Sequence, residues 1–201
     1  MKTKGLILLL TALFLAANFT GCAKKDQNKS DAIEAIKEDF AQRENIPVED
    51  VSAIELQRVG SKQMGYVSIP PNWRKFKNLD ETVTDLQYSD PEATTIVTMN
   101  IFDRTGLSKE DARKFGAEDA AKNVWANLAN GGASDIKGNT VKFKDYDAFQ
   151  VFAAYSNGSQ LAAWLFEAED NEIHYIAIES PSKEKFMLAA QMVTGSYSLT
   201  K

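Results

Sequence analysis

Cys22 is the only cysteine in the chain of 201 residues, and its thiol is the group best suited to covalent modification. It follows Phe19, Thr20 and Gly21, and the last two of these are small. A thiol forms a stable thioether, and small neighbours allow the backbone to enter a processing peptidase. A lone cysteine also excludes a disulfide within the chain. These residues predict a modified cysteine at a processing site.

The segment before Cys22 has the composition of a secretory leader. Lys2 and Lys4 give it a basic start, and residues 5–17 are an apolar run rich in leucine. A run of about a dozen residues is too short to span a bilayer, which takes ~20. We therefore expect residues 1–21 to be a signal peptide and the rest of the chain to be exported.

The motif at residues 19–22 resembles the lipobox of bacterial lipoproteins. Thr20, Gly21 and Cys22 match its pattern, whereas Phe19 stands where an aliphatic residue is usual. The resemblance implies that Cys22 carries a diacylglyceryl group, whose two acyl chains hold a protein on a membrane where one chain is marginal. It also implies attachment at the extracytoplasmic face of a bacterial membrane. The alternative is a chance cysteine beside an ordinary secretory cleavage site.

His174 is the only histidine, so a Ser–His or Cys–His catalytic pair would have to use it. It lies in an alternating run, on the same side as Ile176 and Ile178 and opposite Ile173. This pattern favours a partly buried histidine that is hydrogen-bonded to a neighbour. We predict no catalytic residue, and we do not expect the chain to be an enzyme.

Acidic residues crowd two predicted turns, and calcium is the metal that such carboxylates would bind. The chain has neither a cysteine and histidine set for zinc nor an acidic calcium loop with the required glycine. Gly131 and Gly132 follow a predicted helix, whereas a phosphate-binding loop precedes one. We predict solvated turns, no metal and no cofactor, with a calcium site as the alternative. The acidic residues are Asp145, Asp147, Glu167, Glu169, Asp170 and Glu172.

The charge of the chain limits its partners. The formal net charge of −5 becomes −7 when Lys2 and Lys4 leave with the leader. Nucleic acids and anionic lipid surfaces require clustered positive charge, so we expect neither as a partner, and lipid on Cys22 would hold the protein at the membrane. The hydrophobic content of 44% is ordinary for a globular protein. We expect the three tryptophans to be core anchors: Trp73, Trp125 and Trp164.

Residues 22–29 are polar and predict a flexible tether, which is followed by a small unit at residues 30–60. Apolar spacing predicts a helix over residues 31–43, and Pro47 prevents its continuation. Alternation over residues 51–59 predicts a strand.

Residues 61–201 have the pattern of a larger α+β domain. Asn157 and Gly158 form the strongest hairpin signal in the chain. Ser108 opens a long predicted helix that runs to Gly131, and Pro181 starts a second helix. The predicted strands lie at residues 66–69, 83–88, 94–102, 136–143, 147–155, 160–168, 173–179 and 197–199.

This order of elements resembles the superfamily of the PsbP extrinsic photosystem subunit, the Ran-binding nuclear import factor and the DcrB-like bacterial lipoproteins. The matching residues are the strand and turn at 65–73, the Asn157–Gly158 hairpin and the helix from Pro181, within residues 62–201. The resemblance implies an antiparallel sheet covered by helices on both faces, an α/β/α sandwich. It also implies a binding or assembly role. It carries no functional residue over to this chain.

The sequence leaves three functions open. The leading hypothesis is a lipid-anchored, non-enzymatic envelope protein that binds another protein or a small ligand, because no catalytic set is found. The second is an envelope hydrolase that uses paired carboxylates, which a cleft with two close carboxylates and a raised pKa would favour. The third is a structural spacer without a deep pocket or an exposed apolar patch.

Overall fold

The computed structural model describes residues 54–76, 85–102, 104–168 and 172–201. The predicted signal peptide, the tether, Cys22 and the helix at residues 31–43 lie outside the described residues and stay predictions.

Antiparallel pairing organises the described part of the chain into two sheets. One is a hairpin of β1 and β2, and the other has seven strands in the order β3-β4-β5-β9-β8-β7-β6. The strands are β1 (Gln57–Ser61), β2 (Gly65–Ile69), β3 (Arg74–Lys75), β4 (Leu86–Ser89), β5 (Ile96–Ile101), β6 (Asp135–Phe143), β7 (Tyr146–Ala154), β8 (Gln160–Glu167) and β9 (Ile173–Ser180). The predicted fold class, an α+β chain built on an antiparallel sheet, is confirmed.

Strands β6 to β9 form the meander that the turn residues predict. Gly158 has a φ of 88° in the turn between β7 and β8, a conformation that glycine adopts without strain. The Asn157 side chain accepts a hydrogen bond from the backbone N–H of Ser159 at 2.9 Å. Each strand end lies within one residue of its predicted position, because the hairpin turns fix the register.

The long helix predicted from Ser108 to Gly131 is wrong as one element, because two helices occupy the segment. They are α1 (Lys109–Lys114) and α2 (Ala117–Asn130). Gly116 is extended and its N–H donates to the Asp119 carboxylate at 3.2 Å, which caps a new helix start. The Phe115 side chain stacks on Phe102 with ring centroids 5.6 Å apart, which turns the chain toward the sheet.

The strands of the large sheet contribute alternate residues to two apolar clusters. The α2 cluster contains Val151, Ala163, Leu165 and Ala177 together with the buried face of α2. The α3 cluster contains Phe152, Trp164, Phe166 and Ile176 together with α3 (Lys183–Ser196) and the β1–β2 hairpin. Successive strand residues point to opposite sides of a sheet, so this alternation follows from the period of the strand.

The β1–β2 hairpin packs against α3 and the end of the chain. The Arg58 guanidinium donates to the carbonyl oxygens of Ser196 and Thr200 and to the Ser198 hydroxyl. A single bridge pairs Tyr66 with Ser198, where a short strand at 197–199 is predicted. The predicted boundary between residues 60 and 61 falls inside β1, which pairs with β2 along its whole length.

None of the helices in the described ranges is long and apolar enough to cross a membrane.

Candidate functional site

Four polar side chains lie together at the edge of the α2 cluster. Tyr175 and Glu179 belong to β9 and alternate with residues of the α3 cluster, which places them on the α2 side of the sheet. Tyr155 follows β7 and also packs at the margin of the α2 cluster. Asp85 comes directly before β4. We call these four residues the Tyr175 cluster.

The strand register places Tyr155 near the end of β9 that holds Glu179, whereas Tyr175 lies opposite Asn100 and Leu165. Glu179 lies opposite Leu161 on β8 and Ile96 on β5. Ala154 on β7 pairs with Gln160 on β8, and Gln160 pairs with Ser180 on β9. Tyr155 follows Ala154, and Glu179 precedes Ser180, so both lie at the same end of the sheet.

Burial dominates the electrostatics of the Tyr175 cluster. Burial raises the pKa of Tyr175 well above its usual value, and the negative charges of Asp85, Tyr155 and Glu179 raise it further. Burial also raises the pKa of both carboxyl groups, Asp85 and Glu179. Tyr175 is thus within electrostatic range of all three neighbours.

The hydroxyl of Tyr155 is buried and has no hydrogen-bond partner. Burial raises the Tyr155 pKa, and the charge of Glu179 raises it further. A polar atom that has lost water without gaining a partner costs free energy. The cluster therefore holds an unsatisfied hydroxyl within electrostatic range of the desolvated carboxyl group of Glu179.

The sheet surface next to the cluster is polar. The Gln87 side chain on β4 donates to the Thr98 hydroxyl on β5 at 3.2 Å, and Asn100 lies opposite Tyr175. Helix α2 mainly contacts β6, β7 and β8, which lie across the sheet from β3 and β4. The Tyr175 cluster thus lies between the helix-covered part of this face and its polar part.

His174 lies on the other side of the sheet and is completely buried. Its Nδ1 atom is 2.9 Å from the Tyr197 hydroxyl, and its ring stacks on Phe166 with centroids 5.6 Å apart. The histidine is hydrogen-bonded to a neighbour, as the alternating pattern predicts, and is more deeply buried than predicted. It is a core residue on the opposite side of the sheet from the Tyr175 cluster.

The acidic turns are partly outside the described residues, because Glu169 and Asp170 are not described. Glu167 is half-exposed and lies 3.7 Å from Arg104, and Asp147 pairs with Lys142 at 2.8 Å. Within the described ranges no group of histidine, cysteine and acidic residues could hold a metal ion.

The three tryptophans have different environments. Trp164 is buried and Trp73 is partly buried, and both belong to the α3 cluster. Trp125 is 38% exposed, so the prediction that it is a core anchor is wrong. Its ring lies over Gly138 of β6, where an added Cβ would be 3.2 Å away. The residue packs across the sheet margin because it lies beside, and not within, the apolar stripe of α2.

Comparison with known proteins identifies the fold. No family model matches the chain, and no curated protein sequence matches it. The solution structure of cyanobacterial PsbP (CyanoP) from Synechocystis sp. PCC 6803 superimposes with a TM-score of 0.50 at 9% sequence identity. The match covers 77% of this chain and 98% of the cyanobacterial chain. The fold is PsbP-like. The resemblance to the PsbP fold is thus confirmed.

None of the four residues of the Tyr175 cluster was predicted from the sequence as part of a site in the PsbP-like fold. One signal was present: Tyr175 and Glu179 share a strand face with the apolar residues Ile173 and Ala177. An acidic residue on a buried strand face is unusual unless it is paired. The contributions of Asp85 and Tyr155 had no local signal, since they come from distant parts of the chain.

Proposed function

We propose that this protein is a lipid-anchored cell-envelope protein that binds a ligand or partner and catalyses no reaction. The observation that carries the binding role is the Tyr175 cluster, where a buried hydroxyl without a partner lies at the same end of the sheet as the desolvated carboxyl group of Glu179. The PsbP-like fold is compatible with this role, although a shared fold does not fix a function.

The anchoring part of the proposal rests on the sequence. The basic and apolar leader and the small residues before Cys22 support export and lipid attachment at the extracytoplasmic face. Kinship with the DcrB-like lipoproteins is part of the same proposal.

We also propose that the PsbP-like domain is an α/β/α sandwich with helices on both faces. The alternate use of strand residues by the α2 cluster and the α3 cluster supports this arrangement. It leaves the polar part of the α2 side as the surface where a ligand would approach.

The binding role is tested by retention of envelope components on the immobilised protein. We expect the wild-type protein to retain a component that Glu179→Gln no longer retains. Glu184→Gln is the control, because Glu184 is an exposed carboxylate in the first turn of α3. A component that all three proteins retain equally would show that the Tyr175 cluster is not the binding surface. Retention of nothing by the wild type would refute the binding role.

A hydrolase is the second candidate, because Asp85 and Glu179 are carboxyl groups with raised pKa values near one tyrosine. Carboxyl groups with raised pKa values are typical of general acids. Incubation with envelope polysaccharide and peptide would release fragments if the protein is a hydrolase. We expect no release, and release that Glu179→Gln abolishes would favour the enzyme instead.

A further inference from the structure

The buried hydroxyl of Tyr155 requires a physical explanation. Nearly all buried side-chain polar atoms in proteins have a hydrogen-bond partner, and an exception points to a bound water, an ion or a ligand. The Tyr155 hydroxyl is buried and has none. It lies at the margin of the α2 cluster, at the end of the sheet where Glu179 lies.

The surroundings of this hydroxyl favour a positive charge. Besides burial, the charge of Glu179 raises the pKa of Tyr155. Burial and the charges of Asp85 and Glu179 raise the pKa of Tyr175. Burial is the one cause that shifts the pKa of Glu179, so among the described residues no positive side chain offsets the lost hydration of its carboxylate. An anionic ligand would be repelled here, and a neutral ligand would leave the carboxylate without compensation.

We propose that Tyr155, Tyr175 and Glu179 form a binding site for the ammonium group of a small organic cation. Three observations place the site: the shared face of Tyr175 and Glu179, the position of Tyr155 at the same end of the sheet, and its unpartnered hydroxyl. The inference rests on the binding role proposed above and adds the class of ligand.

An ammonium group matches each part of this site. Its N–H groups donate to the Tyr155 hydroxyl oxygen, which has no partner, and to the Glu179 carboxylate. Asp85 adds negative potential from the start of β4 without the need for direct contact.

The experiment is a titration of the full mature protein in non-ionic detergent with n-butylammonium, followed by NMR. n-Butanol is the matched neutral probe, and tetramethylammonium is a cation without N–H donors. We expect n-butylammonium to shift the ring signals of Tyr155 and Tyr175 and to bind at least about tenfold more tightly than n-butanol, which corresponds to ~1.4 kcal/mol. Tetramethylammonium should bind with an intermediate affinity, because it offers charge without hydrogen bonds.

Two variants assign the site. Glu179→Gln should weaken n-butylammonium binding at least about tenfold, and Tyr155→Phe should weaken it about fivefold, since one hydrogen bond contributes ~1 kcal/mol. Glu184→Gln, the exposed control on α3, should bind as the wild type does. Because Tyr155→Phe removes a hydroxyl that has no protein partner, the fold does not depend on it.

Equal affinity for n-butylammonium and n-butanol would overturn the inference, and so would unchanged binding by Glu179→Gln. Absence of any shift would show that the hydroxyl is satisfied by ordered water alone, which also overturns it. If the cations fail to bind while the immobilised protein still retains an envelope component, the binding role survives and the ligand class is wrong. If an envelope protein with an exposed lysine competes with n-butylammonium and no small organic cation is retained, the small-cation proposal is wrong and the site binds a protein.

Discussion

Tyr155 and Tyr197 carry the same hydroxyl in two different buried settings. The Tyr197 hydroxyl is 2.9 Å from His174 Nδ1, whereas the Tyr155 hydroxyl has no partner. The net value of a buried hydrogen bond comes mainly from the cost of leaving its partner unsatisfied. We therefore expect the Tyr197 hydroxyl to stabilise the fold and the Tyr155 hydroxyl to be available to a ligand.

We predict that Tyr197→Phe lowers the free energy of unfolding by about 1–3 kcal/mol, because it removes the partner of His174. Tyr155→Phe should leave the free energy of unfolding unchanged or raise it slightly. Urea denaturation of the two variants and the wild type measures both effects. A loss in Tyr155→Phe as large as that in Tyr197→Phe would mean that the Tyr155 hydroxyl is satisfied in the folded protein.

We expect the charged carboxylate of Glu179 to lower the free energy of unfolding at neutral pH. Burial raises the pKa of its carboxyl group, so the folded state binds a proton more tightly than the unfolded state does, and stability increases as pH falls through the raised value. We predict that Glu179→Gln is more stable than the wild type at pH 7 by up to about 1 kcal/mol. The gain should disappear near the unfolded pKa of ~4.3. Melting temperatures between pH 4 and 7 check this, and a constant difference would contradict it.

Asp90 has a lowered pKa, so its effect on stability changes with pH in the opposite direction to that of Glu179. Although burial raises its pKa, hydrogen bonds from the Thr95 and Thr94 backbone N–H groups, from the Lys185 ammonium group and from the Thr94 hydroxyl lower it well below its usual value. The distances to these donors are 3.0, 2.7, 2.9 and 2.9 Å. A lowered pKa means that the stabilisation is complete above the unfolded value of ~3.9 and is lost as pH falls below it.

We predict that Asp90→Asn costs about 1–3 kcal/mol at pH 7, because charged hydrogen bonds are lost in the turn between β4 and β5. The difference from the wild type should narrow as the pH falls below about 4. Glu92→Gln is the control, since Glu92 contacts the same Lys185 but its side chain is 64% exposed; it should cost less than about 1 kcal/mol. Equal costs for the two variants would show that burial of Asp90 is unimportant.

At the scale of the elements, the β1–β2 hairpin depends on one close approach. Gly65 has a φ of 78°, and an added Cβ would lie 2.6 Å from the Tyr197 ring. Glycine therefore satisfies both the turn and the contact with the end of the chain. The contact joins the first described strands to the residues after α3, which are far apart in sequence.

We predict that Gly65→Ala lowers the free energy of unfolding by at least about 2 kcal/mol, since backbone strain and a clash in the core add together. Gly158→Ala is the matched control, with a φ of 88° and nothing within 4 Å of the added Cβ; it should cost about 1 kcal/mol. Thermal unfolding of both variants measures the difference. Equal losses would mean that the Tyr197 ring moves away without cost.

At the level of the complete protein, the proposed lipid attachment is tested separately from the domain. The described residues form an interior of two apolar clusters. We predict that Cys22→Ser moves the protein from the detergent phase to the aqueous phase, or leaves the precursor uncut, with the same domain stability. Phase partitioning and mass spectrometry of the mature N-terminus check this. Detergent-phase partitioning of Cys22→Ser equal to that of the wild type would contradict lipid attachment.

The strands of the meander, the helix after β9 and the hydrogen-bonded position of His174 on a buried strand could be predicted from the sequence. These features depend on contacts between near neighbours and on the alternation of strand residues, which a linear pattern records. The sequence did not show the break between α1 and α2, because the stacking of Phe115 on Phe102 and the Gly116 cap compete with a continuous helical pattern.

The order of the strands, the exposure of Trp125 and the Tyr175 cluster could not be predicted from the sequence, because they depend on the three-dimensional packing of the chain. Asp85, Tyr155, Tyr175 and Glu179 come from three separate stretches of chain, and only the pairing of β9 between β5 and β8 brings them together. Burial and long-range electrostatic contact depend on which distant residues become neighbours, and no local spacing in the sequence encodes that.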